Sequence, residues 1–587
     1  MRNALDRLPL ERALQLSIVL LILFTVLSQG SLLSWIDAAR KLRWLTLFAF
    51  VALALGYAWS RGGFRRLGFA HAGGAVLIAL ALASVAWSAF PKLTFERTAA
   101  LGLLFLGCGA VAAGAGRPRA VRRVVDAIVV GAAAVGVGGL LVLAFDHDRA
   151  VQPATSALAA RYQGLGGGPN TAMMILAVAA PLAVYVLVEA RRPLARAAAL
   201  ANVVLLLGSI VASGSRGALV GAFGGLFAVA VLGPVERRHR LVAAGVVVAL
   251  LVVSAALTRI PQPNPAAPAL PSASEPPPVV FQGPRHAVAE PAPRLQDDVG
   301  HPPYGVAETT KKPRTLFGSS GRAQAWNGAI HLGAQRPVAG FGFGTEDHVF
   351  TDRYVDFNSN VPENSYIGLF LQLGIAGVAA FVGFVLALLG FAVVEPRASL
   401  GERRLVAACA GGVVAGLLLG GFQSYLYAVG NNATAAVWLC AFLLAALVPR
   451  ALPSLRVLLP ATATILATLV VVGIVERSHR AHDQSRAMAQ VAAEIGPLDA
   501  QQLDQYRYLS ARVQCLLYRR GKNPFALELC VDESGRVVET IDRRTAPKPR
   551  IHGLRDDPSR SSVRVDRAEV TRLLHSFGIP LSYLPRT

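Results

Sequence analysis

Stretches of mostly apolar residues, separated by short arginine-rich segments, dominate this 587-residue sequence. A helix needs about 20 such residues to cross the roughly 30 Å hydrocarbon core of a bilayer. Backbone N–H and C=O groups find no water there, so runs of that length fold as spanning helices. Thirteen runs meet the pattern, near 13–33, 42–60, 69–88, 96–115, 123–145, 171–190, 197–213, 217–233, 241–258, 365–394, 404–424, 432–449 and 456–475. Charged residues make up only 16% of the chain, against about 25% in a soluble domain. Soluble, disordered and fibrous chains are therefore excluded. The first run is not read as a cleaved signal peptide, because it has no clear small-residue cleavage site and more spans follow at once.

The net charge of +22 suggests nucleic-acid binding until the arginines are placed. With the N-terminus in the cytoplasm, they fall in the inner loops. These hold Arg61, Arg65 and Arg66; Arg117, Arg119, Arg122 and Arg123; Arg191, Arg192 and Arg196; Arg237, Arg238 and Arg240; Arg397, Arg403 and Arg404; and Arg450 and Arg456. Outer loops are sparser, apart from Arg40, Lys41 and Arg43. This is the positive-inside pattern, so no nucleic-acid partner is expected. An odd number of spans puts the C-terminal tail outside. Spans seven and eight share a tight Ser-Gly-Ser-Arg-Gly turn at 213–217.

The expected fold is an all-α polytopic membrane bundle of about 12–13 transmembrane helices, with a large outer loop and a small α+β C-terminal domain. Residues 1–258 form the N-terminal helices, 259–364 the outer loop, 365–475 the C-terminal helices and 476–587 the soluble tail. The loop opens with eleven prolines in 33 residues, 261–293, a composition that cannot pack a core and reads as an extended, disordered linker. In the tail, Leu498–Leu517 has helical spacing. Phe525–Val531 and Arg536–Asp542 are strand-like on either side of a turn at 532–535. Asp566–Phe577 reads as a short helix capped by Asp566. Cys108, Cys409 and Cys440 fall in apolar runs and are inert core residues. Cys515 and Cys530, alone in the tail and in an oxidising space, are a candidate disulfide. No Cys-His cluster has zinc spacing and no Gly-rich Lys loop is present, so neither metal nor cofactor is expected.

The residues that carry chemistry lie at the outer ends of the spans. They are Arg161-Tyr162-Gln163-Gly164 with Pro169-Asn170; Ser213-Gly214-Ser215-Arg216-Gly217; Arg322 with Trp326, then Pro337 and Gly340-Phe341-Gly342-Phe343-Gly344; and Pro362-Glu363-Asn364-Ser365-Tyr366. The turn holding Arg216 is so short that its guanidinium must lie in or near the bilayer interface, where a charge is costly unless paired or working. Arginine's planar fork suits phosphate oxygens. Each element also has a plainer reading. A lone Arg at a span end snorkels to head groups; Gly-Phe-Gly-Phe-Gly alone is a flexible loop; Asn364 caps a helix; Glu363 is solvated at that helix's N-terminus. Asp347 and His348 read as loop surface.

The order and spacing of these elements resemble the O-antigen ligase and O-antigen polymerase superfamily of membrane glycosyltransferases, from about 161 to 435. The most specific parts are S-G-S-R-G-A-L-V-G at 213–221, G-R-A-Q-A-W at 321–326 leading to P-V-A-G-F-G-F-G at 337–344, and E-N-S-Y-I-G-L-F-L-Q-L-G-I-A-G at 363–377. The resemblance implies a metal-independent transfer at the outer leaflet of the bacterial inner membrane. The donor is a saccharide on undecaprenyl pyrophosphate; the acceptor is lipid A–core for a ligase or another glycan for a polymerase. Arg216 and Arg322, with Arg161 as a third, would clamp the leaving pyrophosphate. Ser215, Asn364 and Tyr366 would support them. The acceptor hydroxyl needs a base. Many ligases have His-Asn where this chain has Glu363-Asn364, so Glu363 is the candidate base and His348 the reserve. A lipid-linked saccharide flippase, or another secondary transporter, is the competing reading. It calls for two related halves with interrupted helices at mid-depth, and the sequence shows no such repeat. Protein O-oligosaccharyltransferases share the same layout.

Overall fold

The computed structural model describes residues 8–30, 33–88, 90–152, 160–233, 322–350, 361–394, 399–448, 460 and 462–478, isolated positions within 245–252, and the backbone of the tail strands between 503 and 553. The expected span at 241–258 lies largely outside these residues, and the linker at 261–293 and the short helix at Asp566–Phe577 lie wholly outside them.

The chain is a polytopic helical bundle. Its helices are α1 (Leu8–Leu27), α2 (Leu33–Ser60), α3 (Phe69–Ala83), α4 (Pro91–Gly114), α5 (Pro118–Phe145), α6 (Thr171–Glu189), α7 (Pro193–Ser213), α8 (Arg216–Leu232), α9 (Arg322–Gly333), α10 (Ser365–Val394), α11 (Leu400–Gly420), α12 (Thr434–Leu447) and α13 (462–478). Proline opens α4, α5 and α7, where its missing N–H costs nothing and its fixed φ suits the first turn. Among the described residues, nine helices are long and apolar enough to cross a membrane. Two expected spans are shorter. Helix α8 has 17 residues and α12 has 14, about 26 and 21 Å at 1.5 Å per residue. Residues 432 and 433, which open the expected span at 432–449, lie instead in the turn before α12.

Helix α6 is the centre of the bundle. Every residue from Ala172 to Ala183 is buried, as a helix apolar all round requires, and α5, α7, α8 and α11 pack around it. Helices α8 and α11 cross at Gly225 and Gly411. A Cβ on either would stand 2.6–2.8 Å from the other's carbonyl oxygen, the small-residue contact typical of membrane helices. At the arginine-rich end, two carboxylates gather the helix ends. Glu11 pairs with Arg61 and Arg123, and Glu189 with Arg404 at 2.9 Å and Arg122 at 3.9 Å.

Helix α10 is broken at Gly374, with φ 62° and ψ −161°, a region open essentially to glycine alone. The Gly-Phe-Gly-Phe-Gly segment fills the break. Phe341 and Gly342 donate N–H groups to the carbonyls of Leu371 and Gln372, while Ile375 and Ala376 donate to Pro337 and Val338. The backbone groups freed by the break are thus satisfied by protein. Glu476 of α13 accepts the Val338 and Ala339 N–H groups at 3.0 and 3.1 Å, and the Trp87 indole donates to the Ala339 carbonyl at 2.9 Å. Phe341 and Phe343 are buried. The flexible-loop reading of this segment is therefore corrected: it is a packed strap, because its glycines let two backbones meet where a Cβ on Gly340 or Gly374 would collide.

In the tail, five antiparallel strands form a meander: β3 (Leu503–Ser510), β4 (Val513–Arg520), β5 (Asn523–Asp532), β6 (Val537–Asp542) and β7 (Arg550–Gly553). Strands β1 (Val151–Gln152) and β2 (Arg161–Tyr162) form a separate short pair. The strand expectations hold for β5 and β6. The helical reading of 498–517 does not, because that stretch makes β3 and β4. Its apolar residues satisfy both periods over a short window, and pairing with β5 decides for the strand. Cys515 lies directly opposite Cys530 in the β4–β5 register.

Candidate functional site

Four separate stretches meet at the end of the bundle opposite the carboxylate–arginine clusters. Helix α7 stops at Ser213, Gly214 reverses the chain with φ 59°, and Arg216 opens α8. This short reversal sets Arg216 at the mouth of the bundle. Ser215, at the N-cap, is buried and makes no side-chain cap, so the first N–H groups of α8 are left for other partners. A small cleft opens there. It is lined by Asn170, Ser215, Arg216, Gly217, Arg322 and Gln423, among others.

The three arginines play different parts. Arg216 and Arg322 both line the cleft, and Arg322 acts on Arg216 as a like charge. Arg161 sits on β2 and donates through Nε to the Ser213 carbonyl at 2.8 Å. It holds the end of α7 and so fixes the turn carrying Arg216. Its Nη2 lies 3.5 Å from Asn170 Oδ1.

Glu363 meets Arg322. Its Oε2 accepts from Arg322 Nε at 2.9 Å and also from Nη2, with both side chains largely shielded from solvent. Glu363 is the sole non-glycine residue at positive φ among the described residues, at 49°. Strain of this kind persists where the surroundings over-determine the conformation, and it clusters at working sites. The surroundings are visible. The Trp326 indole holds the Pro362 carbonyl at 2.8 Å. Asn364 caps α10 by accepting from the Tyr366 and Ile367 N–H groups at 3.0 and 3.2 Å, and donates to the Gly421 carbonyl at 3.2 Å. The Tyr366 hydroxyl donates to the Leu417 carbonyl at 2.7 Å, and Tyr366 does not line the cleft.

The loop-surface reading of Asp347 is corrected. Asp347 takes a two-pronged bond from Arg97, 2.7 Å on each oxygen. His348 lies on the same turn, Glu346–Val349, and its side chain is outside the described residues. Sequence reasoning missed Glu346. Only 4% exposed, it accepts from Ser424 Oγ at 2.6 Å, Tyr427 Oη at 2.5 Å and Gln372 Nε2 at 3.1 Å. Burial pushes its carboxyl up to about 7, against the stabilising bonds from Ser424 and Tyr427. The one available signal was a carboxylate two residues after a glycine-rich apolar strap. Its partners come from two other stretches of chain, α10 and the turn after α11.

Residues 201–382 match the family model described as O-antigen ligase. Arg216, Arg322, Glu346 and Glu363 all fall in the matched segment. No curated protein matches the chain.

Proposed function

We propose a transfer reaction at this cleft, supported by the match of residues 201–382 to the O-antigen ligase model. The protein is a membrane glycosyltransferase that moves a saccharide from undecaprenyl pyrophosphate to an acceptor glycan or to lipid A–core. The reaction takes place at the outer leaflet of the bacterial inner membrane, without metal. The observation that carries the proposal is one cleft lined by two arginines and the uncapped start of α8. Helix N-termini and arginine forks are both suited to phosphate oxygens.

The acceptor hydroxyl oxygen attacks the anomeric carbon. The bond from that carbon to the pyrophosphate oxygen breaks, and its electron pair leaves with the polyprenyl pyrophosphate. Negative charge grows on the leaving group, and Arg216 and Arg322 stabilise that charge more than they stabilise the bound donor. The acceptor proton passes to Glu363. Arg322 pairs with Glu363. Arg322 has five N–H donors, enough to serve both the carboxylate and an arriving pyrophosphate. Arg161 acts at one remove, through the Ser213 carbonyl.

The test is transfer in vesicles holding the purified protein, undecaprenyl-pyrophosphate-linked saccharide, acceptor and a chelator. The proposal expects glycosylated acceptor and free undecaprenyl pyrophosphate. Movement of intact donor across the bilayer without transfer would support the flippase reading instead. Surface polysaccharide from a deletion strain separates the two enzyme readings. Loss of all capped chains marks a ligase, and a single-repeat product marks a polymerase.

A further inference from the structure

Glu346 lies outside the cleft, yet it is joined to the cleft by one hydroxyl. Ser424 Oγ donates to Glu346 Oε1 at 2.6 Å and accepts the Asn364 backbone N–H at 3.1 Å. Asn364 follows Glu363, the residue held at positive φ. The carboxyl is itself fixed from several sides. Tyr427 and Gln372 hold Oε2, and Gln372 is oriented by accepting the Gly344 N–H at 2.6 Å. Arg97 donates to the carbonyl of that same Gly344 at 2.6 Å and pairs with Asp347. Glycine at 368 leaves no Cβ where one would collide with the Tyr427 hydroxyl and the Glu346 carboxylate. The charged and titratable groups facing Glu346 are thus Tyr427, Asp347 and Arg97.

We propose that Glu346 is a positioning residue for transfer, holding the Glu363–Asn364 backbone through Ser424 so that the Glu363 carboxylate faces the acceptor. A buried carboxyl group held by three hydrogen-bond partners is a fixed post, and the Ser424 hydroxyl carries that fixity to the Asn364 N–H. Plain packing would not need an ionisable group there. The inference rests on the transfer reading, in which Glu363 takes the acceptor proton.

The test compares kcat, KM for the lipid-linked donor and the pH profile of kcat in full-length protein in vesicles. The variants are Ser424→Ala, Glu346→Gln and the double variant, at matched membrane levels and melting temperatures. Misplacing a reacting group by about 1 Å can cost up to 100-fold in rate. Each single variant is therefore expected to lower kcat by at least roughly tenfold with donor KM unchanged. The double variant should be no slower than the slower single, because both cut one chain of contacts. Glu346→Gln should also shift an arm of the pH profile. Normal kcat in Ser424→Ala, additive losses, or an effect confined to KM would overturn the proposal. Glu363→Gln is assayed alongside. If it is inactive while Ser424→Ala is normal, only the positioning role falls; if it transfers normally, the base assignment falls and the positioning role with it.

Discussion

Arg322 and Glu363, 41 residues apart in sequence, form an ion pair at the edge of the cleft, with Arg322 Nε 2.9 Å from Glu363 Oε2. One starts α9 and the other immediately precedes the cap of α10, so the pair joins two helix N-termini at one point. It also places a candidate base and a candidate pyrophosphate ligand in direct contact. Arrival of an anionic donor therefore acts on both.

Gly368→Ala should abolish transfer. A methyl group there collides with the Glu346 carboxylate and the Tyr427 hydroxyl, and breaking a buried polar network costs several kcal/mol. Gly383→Ala, in the same helix with open space at its Cβ, should be tolerated. Membrane abundance and transfer rate of the two proteins check this. Equal behaviour would contradict it.

The raised carboxyl of Glu346 predicts a pH dependence of stability. Its folded-state value of about 7 lies above the usual 4.5. The neutral form is favoured by folding, so its contribution is fully present below about pH 4.5 and is lost as pH rises through about 7. At about 1.4 kcal/mol per unit, the loss is on the order of 3 kcal/mol. Melting temperatures at pH 5 and 8 should diverge more in the native protein than in Glu346→Gln. Parallel profiles would contradict the shift.

Much of this arrangement was legible in sequence. Apolar length located the helices, and the Ser-Gly-Ser-Arg-Gly turn placed Arg216 at a helix start. The strap was not legible. Gly340-Phe341-Gly342-Phe343-Gly344 reads as a loop because its partners, the broken turns of α10, lie inside an unbroken apolar run. Glu346 was missed for a related reason, since its burial depends on Gln372, Ser424 and Tyr427 converging from elsewhere. The tail misreading at 498–517 had a local cause, a short apolar pattern compatible with both periods.

Cys515 and Cys530 are expected to form a disulfide. Directly opposed residues on antiparallel strands have Cα atoms about 4.5–5.5 Å apart, within the range that a disulfide spans, and the β4–β5 register opposes these two. Thiol labelling of unreduced, unfolded protein should spare both. Full labelling of both would contradict the bond.

The tail is expected outside the cytoplasm. Edge strand β3 lies beside α9, whose first residue is Arg322 of the cleft, which supports a tail on the cleft side. A phosphatase fused at Arg480 should be active. An inactive fusion, with an active cytoplasmic reporter at the same point, would reverse the orientation.

The central claim is a pyrophosphate clamp built from Arg216 and Arg322, and one substitution tests it most directly. Lysine keeps the charge and snorkels as well as arginine, but it loses the two-pronged fit to phosphate oxygens. Losing a preorganised donor at developing charge costs about 3 kcal/mol, or about 100-fold in rate. The measurement is the rate of saccharide transfer by Arg216→Lys at normal membrane levels, beside Arg322→Lys and, at the opposite end of the bundle, Arg191→Lys. A loss of about 100-fold in the first two with Arg191→Lys unaffected is the result expected of the clamp. Near-normal transfer by Arg216→Lys would contradict it and return Arg216 to the role of a membrane-surface anchor.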